Sequence, residues 1–253
     1  MCWSGEASGV LAAIGIGTTA YAAFKKEAAP VWLALGYFSL MELLQALTYT
    51  VINLCGLELN QILTILGFVH IAFQPFFVNA LSMYFIPEKV AAKIAPWVYA
   101  LCFVSAVVML VQLYPFQGAD ACEAGLPLCG QHLCSVSGNW HIAWELPLSS
   151  FRESFYGIPA IIDYFPTYIL CVFIVPVLYG SWRLTLYHLL LGPVLAFVLT
   201  RNPNEWPAVW CLLSIGILLI VVKTPIRQLL FVRWWEPWRW VREPARVAAL
   251  VSA

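Results

Sequence analysis

Asn60-Gln-Ile-Leu-Thr-Ile-Leu-Gly-Phe-Val-His70-Ile-Ala-Phe-Gln-Pro-Phe-Phe-Val-Asn-Ala-Leu-Ser-Met-Tyr-Phe85 runs without a single Asp, Glu, Lys or Arg. A bilayer core about 30 Å thick takes about 20 helical residues at 1.5 Å each, so this stretch reads as a transmembrane helix. Working outward from it, six further apolar stretches emerge: Ser8–Phe24, Val31–Leu54, Pro96–Tyr114, Gly157–Gly180, Leu184–Thr200 and Trp206–Val222. Turn formers and charges separate them, as in Pro-Glu-Lys at 87–89 and Asn-Pro-Asn-Glu at 202–205. The whole chain is 62% hydrophobic and 10% charged, with a mean hydropathy of +0.83. A soluble domain carries about a quarter charged residues. The expected fold is therefore all-α, an integral membrane bundle of seven transmembrane helices.

Direction follows from the positive charges, which collect on the cytoplasmic side of membrane proteins. Lys25, Lys26, Lys89, Lys93 and Arg183 fall in the loops after the first, third and fifth stretches, and Lys223, Arg227, Arg233, Arg239, Arg242 and Arg246 follow the seventh. Eleven of the thirteen positives thus share one side, leaving Arg152 and Arg201 on the other. The expectation is an N-terminus outside and a C-terminus in the cytoplasm. The opening residues hold no Lys or Arg before the first apolar stretch, so an uncleaved helix is expected rather than a signal peptide. A net charge of zero gives no electrostatic case for a nucleic-acid partner.

Residues 1–225 read as the membrane domain. The segment 226–253 mixes Trp234, Trp235, Trp238 and Trp240 with arginines and is expected to lie at the cytoplasmic membrane surface. The long outer connection, 115–156, holds Cys122, Cys129 and Cys134, while Cys55 and Cys2 lie on the same side. That compartment permits disulfides. A short bridge among the three loop cysteines is expected, and Cys55 could either tie a helix end to the loop or pair with Cys2; the odd number leaves at least one thiol over, with Cys2 the candidate in the first case. Cys102, Cys171 and Cys211 fall inside spans and read as small core residues.

Polar groups at membrane depth need a reason, because each is costly there. Glu42 and Gln45 share a helix face at i,i+3, as do His70 and Gln74 at i,i+4; Asn79 follows on the same span and Asp163 lies near the outer end of the fifth. Counting the helical rise from the outer ends puts Asp163 ~9 Å deep, Gln45 ~13 Å, His70 ~15 Å and Glu42 ~18 Å. His188 lies near the inner end, which argues against a shared haem with His70. A short repeat adds to the set: Gly67-Phe-Val-His70-Ile-Ala-Phe-Gln74 resembles Gly138-Asn-Trp-His141-Ile-Ala-Trp-Glu145. If both copies are helical, each offers an imidazole and an amide or carboxyl one turn apart, and the second dips into the outer face as a re-entrant segment.

The Met1-Cys2-Trp3-Ser4 opening, Tyr37-Phe-Ser-Leu-Met-Glu42-Leu-Leu-Gln45, the His70 to Asn79 stretch and Leu133-Cys-Ser-Val-Ser-Gly-Asn-Trp-His141 resemble uncharacterised bacterial multipass membrane proteins grouped as a domain of unknown function. The resemblance implies a bacterial inner-membrane location and no particular activity. Three functions stay open on the residues. The first is a metalloprotein, with enzymatic activity on a lipid or small apolar substrate. Glu42, His70 and His141 would hold zinc or non-haem iron, Asp163 and Glu145 would serve catalysis, and Gln45, Gln74 and Asn79 would line the pocket. The second is a transporter or sensor built on the same polar groups. The third is an accessory subunit docked to other membrane proteins.

Overall fold

A computed structural model describes residues 3–114, 122, 126–149, 165–235 and 238. Four long helices come first: α1 (Gly5–Phe24), α2 (Ala29–Tyr49), α3 (Glu58–Tyr84) and α4 (Glu88–Val111). The Ser4 hydroxyl accepts the Ala7 N–H and so caps α1 at its start. After the outer connection come α5 (Pro166–Leu178), α6 (Trp182–Leu199), α7 (Trp206–Lys223) and the short α8 (Ile226–Leu230). Helices α1, α2, α3, α4 and α6 are long and apolar enough to cross a membrane. Helix α5 and the Trp206–Gly216 part of α7 are apolar and shorter. The seven expected spans are thus met by five helices of full length; the expected start of the fifth, at 157–164, lies outside the described residues.

Small residues set the closest helix contact. Ser8, Ala12, Gly15 and Ala22 form the buried stripe of α1, and a Cβ on Gly15 would fall 2.1 Å from the Ser39 hydroxyl oxygen on α2. Small side chains let two backbones approach where lipid offers no hydrophobic drive between helices. α7 returns to pack on both α2 and α6, which closes the bundle around Leu35, Phe38, Met41, Phe68 and Ile215.

Two helices change pitch midway. Leu170–Ile174 in α5 and Leu190–Val194 in α6 are single π-helical turns. A π turn breaks the usual hydrogen-bond ladder and leaves carbonyls to be satisfied elsewhere. Asn79 does this for α5, its Nδ2 donating to the Cys171 carbonyl at 2.8 Å and to the Pro75 carbonyl at 2.9 Å. The Tyr179 hydroxyl in turn donates to Asn79 Oδ1 at 3.0 Å.

The all-α expectation needs one correction. The outer connection carries an antiparallel hairpin, β1 (Cys134–Ser137) and β2 (Ile142–Glu145), paired Cys134 to Glu145 through Ser137 to Ile142. Ser-Val-Ser and Ile-Ala-Trp alternate about a four-residue connection beginning Gly138-Asn, which suits strands better than a helix too short to span. The hairpin is bolted to the start of α3. Ser135 exchanges both backbone bonds with the Asn60 amide, and its hydroxyl lies 2.7 Å from that of Thr64. Trp144 reaches down to Gly67, whose Cβ would stand 3.4 Å from the indole.

At the opposite end, the residues after α8 fold back. Trp238 Nε1 donates to the Tyr179 carbonyl at 3.0 Å, and Arg183 donates to the Leu229 and Phe231 carbonyls. Gly180 has φ +101°, and a Cβ there would lie 2.6 Å from the Trp238 ring. Only glycine meets both demands. The rest of the Trp- and Arg-rich segment, 236–237 and 239–253, lies outside the described residues.

Candidate functional site

A cavity of about 300 Å³ lies on the flank of the bundle, below the hairpin cap. Ile71 and Gln74 enter it from α3, Tyr168 and Phe173 from α5, Phe197 from α6 and Trp210 from α7. Both π turns border it, since Phe173 of the first and Pro193 and Val194 of the second contribute to the wall. Phe197 is 62% exposed, so the cavity opens sideways through the helix surface that faces the surroundings of the bundle. Leu128 from the cap roofs it. Among the described residues, no Asp, Glu, Lys or Arg lines the wall.

One side chain supplies an unused polar group there. Gln74 is 1% exposed, and its Oε1 accepts the Tyr168 hydroxyl at 2.8 Å. That bond orients the carboxamide and leaves Nε2, buried, with no acceptor. Trp210 is already committed, its Nε1 donating to His188 Nε2 at 2.9 Å. A buried donor without a partner costs about 1–3 kcal/mol, so a ligand acceptor beside Gln74 recovers a real penalty.

A second polar set lies between α1, α2 and the cap. Glu42, Gln45 and Tyr49 follow one another on a face of α2, and Glu42 and Gln45 are fully buried. The Ser8 hydroxyl stands beside the Glu42 carboxyl, although neither carboxyl oxygen completes a hydrogen bond of acceptable geometry. Both Gln45 amide atoms are likewise unpartnered. Ser8 receives Trp3 Nε1 at 2.8 Å, and the Trp3 ring stacks on His141 at 5.9 Å. The Tyr49 hydroxyl lies 3.3 Å from His141 Nδ1. That nitrogen also accepts the Ile142 N–H at 2.8 Å, so the neutral ring carries its proton on Nε2, which is buried and unpartnered. Burial pushes the His141 imidazole down to about 3.

The expected metal set does not assemble. Among the described residues, no three of His, Cys, Asp and Glu lie close enough to share an ion. The physical reason is level. His70 packs on the Tyr37 ring at 3.8 Å, while His141 meets Tyr49. Those tyrosines are twelve positions apart on α2, about 18 Å of rise. Zinc or iron bridging Glu42, His70 and His141 therefore has no geometric basis here. His141 and Glu145 were expected one helical turn apart. In an extended segment, four residues separate them by about 13 Å, and Glu145 turns to Gly130 instead. Asn79 is a saturated clamp of α3 on α5, remote in role from Gln74. Asp163 and Cys2 lie outside the described residues. Both expected disulfide types are present, Cys122–Cys129 within the loop and Cys55–Cys134 from the α2–α3 connection to the hairpin. Cys102, Cys171 and Cys211 are free and buried.

Sequence reasoning missed Glu205, treating its segment only as a break between spans. Its carboxylate is fully buried and accepts three backbone N–H groups: Asn139 on Oε1 at 2.8 Å, and Trp140 and His141 on Oε2 at 2.8 and 3.0 Å. It thereby ties the tip of the hairpin to the α6–α7 connection. A Cβ at Gly138 would lie 2.3 Å from the Glu205 carboxyl carbon, which explains the glycine. Tyr168 was missed as well. Its one signal was a hydroxyl beside that of Thr167 at the start of an apolar helix, and tyrosine is common in such helices.

Residues 6–231 match the model of a Family of unknown function (DUF5765), and the chain belongs to that family. No curated protein and no solved structure matches it.

Proposed function

We propose that this member of the family is a seven-helix integral membrane protein of the bacterial inner membrane, N-terminus outside and C-terminus in the cytoplasm, that binds an uncharged lipid or small apolar molecule drawn sideways from the bilayer. The positive-charge asymmetry supports the orientation. The observation that carries the binding reading is the apolar flank cavity with the buried, unpaired Gln74 Nε2 in its wall. Concave apolar sites with a few placed polar groups are the usual form of small-ligand pockets, and about 300 Å³ is at the small end of their range. The cap, held by two disulfides and Glu205, covers the side facing water. The exposed Phe197 in the wall supports entry from the lipid side.

The test is a photoreactive fatty-acyl probe given to the full chain in lipid nanodiscs. Adducts are expected on Ile71, Met109 and Phe173. Val194→Trp, placed on the wall where a larger ring fills the cavity, is expected to remove most of that labelling. Labelling spread evenly over lipid-facing residues, and indifferent to Val194→Trp, would overturn the reading.

A second reading, transport or sensing through the Glu42 set, has its own observation in the unpartnered Glu42 and Gln45 groups. Solute flux in proteoliposomes that is lost in Glu42→Gln would favour it.

A further inference from the structure

Within the reading of the flank cavity as a site fed from the bilayer, we infer that its ligand is a lipid-soluble quinone, a planar uncharged ring with carbonyl acceptors and an apolar tail. Four features narrow the class. First, the wall is aromatic: Phe165, Tyr168, Phe173, Phe197, Trp206 and Trp210 all line it. Phe173 already stacks on Trp210 at 5.7 Å, with Tyr168 edge-on to the same indole at 5.8 Å. Offset and edge-to-face contacts of this kind favour a flat ring over a flexible chain, which loses more rotational freedom on binding.

Second, the polar requirement is for an acceptor. Tyr168 holds Gln74 Oε1, so the carboxamide presents its N–H groups to the cavity. A ring carbonyl satisfies them, whereas a hydrocarbon leaves them unpaired. Third, among the described residues the lining has no Lys or Arg. A fatty-acid carboxylate or a phosphate would be desolvated with no counter-charge, which disfavours ionised headgroups strongly. Fourth, a cavity of about 300 Å³ holds one substituted ring and excludes a two-tailed phospholipid. The lateral opening at Phe197, 62% exposed, leaves the tail a path into the bilayer.

The experiment uses the full chain in synthetic-lipid nanodiscs, titrated with a decyl-substituted benzoquinone while tryptophan emission is followed. Trp206 and Trp210 line the cavity, and quinones quench indole emission. A saturable quenching component is expected, together with displacement of the photoreactive acyl probe. Gln74→Leu, with its melting temperature checked, should weaken the saturable component about tenfold, the loss of one buried hydrogen bond. If that variant does not fold, Tyr168→Phe serves in its place. It keeps the cavity shape, frees the carboxamide to turn, and is expected to weaken binding several-fold. Acyl labelling of the cavity that the quinone neither displaces nor accompanies with saturable quenching overturns the quinone and leaves the lipid reading standing. Absence of both signals overturns the two together. Quinone affinity unchanged in a folded Gln74→Leu also overturns the inference, because the acceptor requirement is then wrong.

Discussion

His141 shows how much one buried ring can be asked to do. Its Nδ1 accepts the Ile142 N–H, its backbone N–H donates to Glu205, and its face stacks on Trp3. Burial lowers its imidazole from the ordinary 6.5 to about 3. The folded cap therefore keeps the ring neutral at a pH where the unfolded chain binds a proton. The stability this ring contributes is full above about pH 6.5 and drains away as pH falls from there toward about 3. Melting of the cap, followed by tryptophan emission, is expected at lower temperature at pH 4.5 than at pH 7.5. His141→Asn keeps an acceptor near the Nδ1 position and should flatten that slope, while carboxylates common to both proteins titrate equally. An unchanged slope would show that the ring is not the titrating group. Asn79 sits at the other extreme, with every polar atom of its side chain engaged. Asn79→Ala strands the Cys171 carbonyl and the Tyr179 hydroxyl, and is expected to lower unfolding free energy by about 1–3 kcal/mol in detergent titration. Gln74→Leu strands the buried Tyr168 hydroxyl but removes an unpaired donor at the same time, so a smaller loss is expected.

At the scale of elements, the hairpin is where sequence and structure part. Gly67 to Gln74 and Gly138 to Glu145 share their pattern of residue types, yet the first is a helix and the second a turn and strand. Local pattern could not decide between them because the deciding contacts are remote. Asn60, Thr64 and Glu205 fix the hairpin from segments more than sixty residues away. The cysteines were easier to place, since the compartment and the loop length already called for bridges. Their separations also rank them. Cys55–Cys134 spans 79 positions and Cys122–Cys129 spans 7. Chain entropy then assigns about 4–5 kcal/mol to the first and about 2–3 kcal/mol to the second. Helix ends held at a membrane restrict the reduced chain, so both figures shrink while their order holds. Replacing Cys55 and Cys134 by Ser should therefore lower the melting temperature more than replacing Cys122 and Cys129, as read by thermal aggregation of the purified protein. The reverse order would mean that the loop bridge, rather than the tie to the α2–α3 connection, carries the cap.

For the whole molecule, the spans were legible because each rests on its own composition, and five helices of membrane-crossing length answer to them. The flank cavity was not legible, because its wall gathers single residues from α3 to α7 and the cap, and no local window of sequence contains them. The polar set was half legible for the same reason: Glu42 with Gln45 is a one-helix pattern, while Ser8 and His141 reach it from elsewhere. Orientation stands between these cases, since it depends on charges summed over all loops. The cap carries both disulfides, and the opposite end carries Lys25, Lys26 and Arg183 along with Arg227, which pairs with Glu27 at 2.9 Å. Disulfides need an oxidising side and positives favour the cytoplasm, so two independent chemistries support the same proposed direction. A full-length fusion with alkaline phosphatase after Ala253 should be inactive and one with green fluorescent protein at the same point should fluoresce. Phosphatase inserted after His132, exposed in the cap, should be active. A fluorescent cap insertion with an active C-terminal phosphatase would invert the protein. It would then leave the disulfides in a reducing compartment, and the argument from charge would fail with the argument from cysteine.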